Sequence, residues 1–158
     1  MQDVWLETWL QCKPYVKNFD TAIDVGYRRG EFARNLTPLF SKVIGFEFRY
    51  PKYTNQGNLE VYNYALGDEN TISYTSNNAG RIKGNGPREV IIKKLDSFDY
   101  NNIGFIKLDV EGFEPKVLLG AKATIEKCNP VICCEINRSD NNSQQILENW
   151  GYKLMEID

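Results

Sequence analysis

The chain has 158 residues, with 19 basic and 21 acidic side chains and a formal charge of −2. Hydrophobic residues make up 42% and charged residues 25% of it, a composition typical of a folded domain and not of a disordered chain. The nearly balanced charge disfavours binding of nucleic acid through a basic surface. Because the chain has no histidine, Ser-His-Asp and Cys-His nucleophile systems and histidine-based zinc sites are excluded.

The four cysteines, Cys12, Cys128, Cys133 and Cys134, form neither a CxxC pair nor a metal-ligand spacing. They are therefore predicted to be buried thiols of a reducing compartment. The N-terminus has no basic segment followed by an apolar core, and no run of ~18 apolar residues occurs. We expect no signal peptide, no membrane span and a cytoplasmic location, in the host cytoplasm if the source is a virus.

The first third of the chain predicts a helix followed by a strand–loop–helix–strand unit. Residues 3–12 predict a short helix. Strands are predicted at 21–25 and 42–47, with a glycine-containing loop at 26–30 and a helix at 31–40 between them. This order of elements is the βαβ pattern.

The rest of the chain continues the alternation of strands and helices, several of the strands being apolar on both faces. Further strands are predicted at 59–64, 72–75, 89–95, 103–110, 131–136 and 152–157, and further helices at 115–128 and 143–150. The pattern predicts an α/β fold with a mostly parallel central sheet flanked by helices. We expect one domain over residues 1–158, with an N-terminal helical segment at 1–19 and the core at 20–158.

Acidic residues end the predicted strands, where ligands bind in an open parallel sheet. These residues are Asp24, Glu47, Asp68, Asp109, Glu111 and Glu135.

The loop from Asp24 to Gly30 is the first candidate binding element. Gly26 and Gly30 allow a tight turn and close approach of a ligand to the backbone. Neither GxGxxG nor the P-loop pattern is present, and Asp24 would repel phosphate, so a pyrophosphate ligand is disfavoured. Glu47 ends the next strand, where a carboxylate can accept both hydroxyls of a ribose. A nucleoside with a cationic, amino-acid-like tail fits both features, which suggests S-adenosylmethionine (SAM).

Two segments carry a resemblance to a known family. Asp24–Gly30 resembles the first motif of class I SAM-dependent methyltransferases. Residues 105–121, with Lys-Leu-Asp-Val-Glu-Gly at the strand end and Leu-Leu-Gly-Ala at the end of the segment, are similar to the signature of FkbM-type methyltransferases. Residues 65–68, 94–98 and 130–135 match that family as well, so the resemblance covers most of the chain from Thr21 to Asn137.

The resemblance implies a Rossmann-like class I methyltransferase fold and SAM as the cofactor. From its methionine end to its adenine, the implied binding residues are Asp24, Gly26, Tyr27, Gly30, Glu47, Phe48, Leu66 and Asp68. Asp109 also belongs to this set, and it faces the methyl group and the acceptor together with Glu111.

The chain departs from the family pattern at two places. Bulky residues, Tyr27, Arg28 and Arg29, follow the first glycine, and they are expected to narrow the methionine pocket or to reach toward the substrate. After the predicted strand ending near Glu135, the sequence predicts only one further strand. A full class I sheet ends in an antiparallel pair, so we expect a sheet shortened at its C-terminal edge.

The sequence leaves two roles open for the acidic residues near Asp109. Without histidine, Asp109 or Glu111 is the candidate base for a hydroxyl acceptor. Alternatively, Glu111 and Glu114 stabilise the first turn of the following helix. A further alternative is a divalent-cation site formed by Asp109, Glu135 and Asn137, but no tight ligand spacing supports it and no metal is predicted.

The predicted function is O-methylation of a small molecule or sugar. Arg81, Lys83 and Arg88 lie in a Gly/Asn-rich segment that could cover an anionic or sugar acceptor, or could be a solvated loop. Nucleic-acid methylation is disfavoured because Asp109 is followed by Val-Glu-Gly and not by Pro-Pro-aromatic. The alternatives are a non-catalytic SAM- or nucleoside-binding module and a nucleotide-dependent oxidoreductase. An exposed sheet edge would suit a homo-oligomer.

Overall fold

The computed structural model describes residues 4–49, 55–77, 81–136 and 142–155. The helices are α1 (Val4–Cys12), α2 (Ala33–Leu36), α3 (Glu114–Leu119), α4 (Lys122–Cys128) and α5 (Asn142–Asn149). The strands are β1 (Thr21–Val25), β2 (Lys42–Phe46), β3 (Leu59–Tyr62), β4 (Ala65–Leu66), β5 (Thr71–Thr75), β6 (Arg88–Lys93), β7 (Ile103–Leu108) and β8 (Val131–Cys134). Short 3-10 turns occupy Lys13–Tyr15 and Leu95–Phe98.

The central sheet has five strands in the order β3-β2-β1-β7-β8, and all neighbouring pairs are parallel. This confirms the predicted α/β fold with a mostly parallel sheet. The sequence order reverses at β1, which lies between β2 and β7. The carboxyl ends of β1, β2 and β7 therefore meet at the switch point, where an open α/β sheet binds ligands.

A second, three-stranded sheet has the order β4-β6-β5, with β4 parallel and β5 antiparallel to β6. Its buried residues Ala65, Val90 and Ile92 pack with Phe48, Ile82 and Phe113. This small sheet thus lies beside the segments that follow β2 and β7.

Alternation along the strands of the central sheet divides the core into two layers. Ile23 and Phe46 belong to the cluster that packs against α3 and α4. Ala22 and Phe105 belong to the cluster around Trp9 of α1. Because successive side chains point to opposite faces, Asp24 and Lys107 lie on the same face as Ala22 and Phe105.

Three predicted elements differ from the structure. The helix predicted at 31–40 is shorter in the structure, where it spans only α2. Pro38 has no amide hydrogen and cannot continue the helical hydrogen bonds. Helix 115–128 is divided into α3 and α4 at Gly120, where a Cβ atom would collide with the carbonyl oxygen of Gly67. The strand predicted at 152–157 is wrong over residues 152–155, which form no strand, and its remainder lies outside the described residues.

Within the described ranges, no helix has the length and apolar character needed to cross a membrane.

Candidate functional site

A small cavity of about 30 Å³ lies at the carboxyl ends of β1, β2 and β7. Five of the residues predicted for the cofactor line it, namely Gly26, Glu47, Phe48, Leu66 and Asp109. We call it the nucleoside cavity. This volume is far below the ~300–1,000 Å³ of small-molecule sites, so side chains around it must move before a nucleoside can bind.

Glu47 is buried at the end of β2, and its carboxylate is fully engaged. Oε1 accepts hydrogen bonds from the backbone N–H of Arg49 at 2.8 Å and from its Nε at 3.0 Å. Oε2 accepts hydrogen bonds from the backbone N–H of Arg28 at 2.9 Å and from Arg49 Nη2 at 3.1 Å. A carboxylate has about four lone-pair positions, so any ribose hydroxyl bound here must displace a donor.

The segment after Glu47 is held in place by Arg88, a residue of β6 in the small sheet. Arg88 Nη2 donates to the carbonyl oxygens of Phe48 and Arg49, both at 2.6 Å. The guanidinium carbons of Arg49 and Arg88 lie 6.0 and 5.9 Å from the centroid of the Phe48 ring. Phe48 is therefore placed beside the nucleoside cavity by two cation–π contacts as well as by its backbone.

Asp24 does not line the nucleoside cavity, because its side chain is 0% exposed on the other face of the sheet. Its Oδ1 lies 3.1 Å from Lys107 Nζ, a charge contact without the alignment of a good hydrogen bond. Burial raises the pKa of the Asp24 carboxyl, and the positive charge of Lys107 opposes that rise. Asp24 therefore acts on the site through Lys107.

Lys107 connects the glycine loop with the end of β7. Its ammonium donates to the carbonyl oxygen of Gly26 at 3.1 Å and lies 3.7 Å from Asp109 Oδ2. The rings of Trp5 and Phe32 lie 5.4 and 5.9 Å from it. Lys107 had no predicted role, although a single charged residue inside the apolar run of β7 was a signal for a buried ion pair.

Tyr27 also lies outside the lining of the nucleoside cavity. Its ring packs over Gly30 and Gly45, where a Cβ atom at either glycine would overlap it. The expectation that Tyr27 narrows the methionine pocket or reaches toward the substrate stays a prediction. Arg28 and Arg29 are exposed, and Arg28 has the left-handed φ of 56°.

The loop after β7 is braced by Glu114. This buried carboxylate accepts hydrogen bonds from the N–H of Val110 at 2.8 Å and of Gly112 at 2.9 Å. Glu111 is exposed, has a φ of 57° and does not line the nucleoside cavity. The sequence left open whether the acidic residues here act as a base or stabilise the first turn of the helix. Glu114 has the stabilising role.

Asp109, Glu114 and Glu135 each bring a carboxylate oxygen within 4.8 Å of the others. Burial, reinforced by a hydrogen bond with Asp109, raises the pKa of Glu135 to about 7. Asn137, the third member of the hypothetical cation site, lies outside the described residues. Glu114 is already satisfied by the loop, so Asp109 and Glu135 remain as a pair of neighbouring carboxyl groups.

Two further predicted cofactor residues, Gly30 and Asp68, do not line the nucleoside cavity. Gly30 packs against the Tyr27 ring, and Asp68 lines a larger cavity of about 350 Å³ beside the small sheet. Sequence reasoning also missed Arg49, which lies two residues after Glu47. The opposite charges of Glu47 and Arg49, two positions apart at the end of a predicted strand, were the available signal.

Comparisons with known proteins were made on the sequence and on the fold. The family model of the methyltransferase FkbM domain matches residues 24–154. The structure is similar to the crystal structure of methyltransferase FkbM from Methylobacillus flagellatus KT, with a TM-score of 0.61 and 18% sequence identity. The match covers 82% of this chain and 37% of that one, so the chain spans little more than a third of its neighbour's length. No curated protein matches the sequence.

Proposed function

We propose that this chain, which belongs to the methyltransferase FkbM domain family, binds SAM in the nucleoside cavity and methylates a hydroxyl group of a small molecule or sugar. The observation that carries the proposal is the convergence of Gly26, Glu47 and Asp109 at the sheet's switch point. One cavity therefore has the buried carboxylate of Glu47 and the partly exposed carboxylate of Asp109. It also has Gly26, whose backbone a ligand can approach closely.

The chemistry of the lining fits the cofactor once one side chain moves. Glu47 offers a carboxylate for the ribose hydroxyls, and Leu66 and Val110 offer apolar walls for a base. In the structure, the Arg49 guanidinium occupies this carboxylate and the cavity is only about 30 Å³. Binding of a nucleoside therefore requires Arg49 to turn away from Glu47.

When bound, SAM would supply an electrophilic sulfonium methyl group for transfer to the acceptor oxygen, with SAH as the second product. Asp109, with its side chain 28% exposed, accepts the hydroxyl proton. Lys107, 3.7 Å from Asp109 Oδ2, holds this carboxylate in place. Glu135 lies beside Asp109, and a hydrogen bond between the two carboxyl groups helps to orient Asp109.

Methyl transfer to a panel of hydroxylated small molecules and sugars tests this function, with Asp109→Asn as the diagnostic variant. Loss of a general base is expected to lower the rate by about 10²–10⁴-fold, with affinity for S-adenosylhomocysteine (SAH) retained. Asp99→Asn is the control, because Asp99 is exposed and, among the described residues, its carboxylate pairs with Lys127 alone. A wild-type rate for Asp109→Asn would contradict the assigned base.

The second candidate is a non-catalytic nucleoside-binding module. It is favoured over the oxidoreductase alternative because the chain lacks the GxGxxG pattern of dinucleotide binding. It predicts SAH binding without turnover on any acceptor of the panel.

A further inference from the structure

We propose that the cavity of about 350 Å³ beside the small sheet is the acceptor site and that its ligand is an anionic monosaccharide. The proposal rests on the function proposed above and specifies its substrate class. The volume lies at the lower end of the range of ~300–1,000 Å³ that small-molecule sites occupy. We call this space the acceptor cavity.

The acceptor cavity adjoins the nucleoside cavity. Ile82 and Phe113 line both of them, so one pair of side chains is the wall between the two spaces. Phe113 is fixed there, since a Cβ atom on Gly67 would lie 3.1 Å from its Cε1. A ligand in the acceptor cavity therefore lies next to the site proposed for the cofactor. Asp109 lines only the nucleoside cavity, so one hydroxyl of the ligand has to extend past Ile82 and Phe113 to reach this base.

Two lysines give the acceptor cavity its anion-binding character. Lys83 and Lys116 line it, and in the described part of the chain neither forms an ion pair. The Lys116 ammonium lies 5.1 Å from the centroid of the Phe113 ring, which keeps it at the cavity. Two unpaired ammonium groups at one cavity fit a carboxylate or phosphate group.

The same cavity contains groups that bind hydroxyls. Asp68 and Glu69 line it without an ion pair among the described residues, and carboxylates accept hydrogen bonds from sugar hydroxyls. Thr71 and Ser73 also line it. They pair with Ile92 and Val90 of β6, both buried, which places all four on the inner face of the small sheet.

The charged residues that line the acceptor cavity favour some classes of ligand over others. Two lysines and two acidic residues give a formal charge of zero, which disfavours a polyanion such as a nucleic-acid backbone. A wholly apolar alcohol would leave the charged groups unpaired on binding. A sugar with one anionic group satisfies both kinds of side chain and can place its apolar ring face on Phe113.

The test is calorimetric titration of the whole chain with four probes: glucose 6-phosphate, glucuronate, glucose and inorganic phosphate. The diagnostic variant is Lys83→Met/Lys116→Met. The matched control is Lys122→Met/Lys127→Met, which removes the same charge from the exposed face of α4. Each protein is also titrated with SAH, whose affinity is not expected to change because neither pair of lysines lines the nucleoside cavity.

We expect glucose 6-phosphate or glucuronate to bind more tightly than glucose and inorganic phosphate. The diagnostic variant should weaken this binding about tenfold or more, as expected for the loss of two charge-assisted contacts, and the control should not. Equal binding by the diagnostic variant and the control overturns the site. Equal binding of phosphate and of the sugar phosphate overturns the sugar assignment.

The two proposals fail separately. If SAH binds and neither anionic sugar does, the acceptor site is overturned while the cofactor assignment stands. If an anionic sugar binds and SAH does not, the methyltransferase function is contradicted while the sugar-binding cavity is supported.

Discussion

Arg49 decides, at the level of single residues, whether the proposed ribose ligand is accessible. Its backbone and side chain supply three of the four hydrogen bonds to Glu47. The guanidinium and a ribose would compete for the same oxygens. Arg49 therefore lowers the affinity for a nucleoside by the free energy needed to break its charged contact.

Arg49→Met tests this competition. The change keeps an apolar stem of similar length and frees two of the contacts on Glu47, so the affinity for SAH should rise by about tenfold, the equivalent of one charged hydrogen bond. Arg34→Met, on the exposed side of α2, serves as the control in the same calorimetric titration. Unchanged or weaker binding by Arg49→Met would show that Arg49 supports the cofactor and does not compete with it.

Lys107 is the second residue on which the site depends, since it is the counter-ion of the fully buried Asp24. Lys107→Met would leave that carboxylate unpaired, which typically costs about 3–5 kcal/mol of the free energy of unfolding. Asp24→Asn/Lys107→Met should recover part of the loss. Urea unfolding of wild type and of both variants measures their free energies of unfolding.

The control for this series is Lys42→Met, which removes the exposed pair with Glu60. Exposed pairs contribute about 0–1 kcal/mol, so this variant should remain near wild type. A cost of Lys107→Met no larger than that of the control would be inconsistent with the buried pair described here.

At the level of elements, the parallel pairing of β7 with β8 creates the carboxyl pair. Glu135 donates its N–H to the carbonyl oxygen of Leu108, and the register pairs Leu108 with Cys134. Asp109 and Glu135 consequently emerge side by side from neighbouring strands. Their hydrogen bond, together with burial, raises the pKa of Glu135 to about 7.

This raised pKa makes a prediction for stability against pH. The folded protein holds the Glu135 proton more tightly than the unfolded chain, so the stabilisation is complete below the unfolded pKa and is lost as the pH rises through about 7. Glu135→Gln should remove this part of the pH dependence. Urea unfolding between about pH 5 and about pH 8 measures it.

Glu126→Gln, on the exposed face of α4, is the control for that experiment. It should retain the wild-type dependence on pH. If the free energy of unfolding of Glu135→Gln falls over this pH interval as much as that of wild type, the pH dependence does not come from Glu135.

At the level of the whole molecule, the central sheet was predictable because a strand buried on both faces shows as a continuous apolar run. All six residues of β7, Ile103 to Leu108, are buried. The break at Gly120 was not predictable, because it depends on the backbone of Gly67, which is distant in sequence. The same holds for the separate small sheet, where β4 pairs with β6 across the Gly/Asn-rich segment.

The candidate site was predictable only in part for a similar reason. Glu47 and Asp109 end buried strands, and the rule for open parallel sheets places them at one cavity. The direction of Asp24 follows from strand alternation, but its partner Lys107 lies on another strand. The contact of Lys107 with Gly26 spans 81 positions of sequence, and local patterns carry no information about such a pair.

The central claim is that the ends of β1, β2 and β7 bind the cofactor through Glu47. Calorimetric titration of wild type, Glu47→Gln and the control Glu60→Gln with SAH tests it most directly. We predict binding by wild type and the control, with an affinity on the order of 1 μM, and none by Glu47→Gln. No binding by wild type, or equal binding by a folded Glu47→Gln protein, would contradict the claim.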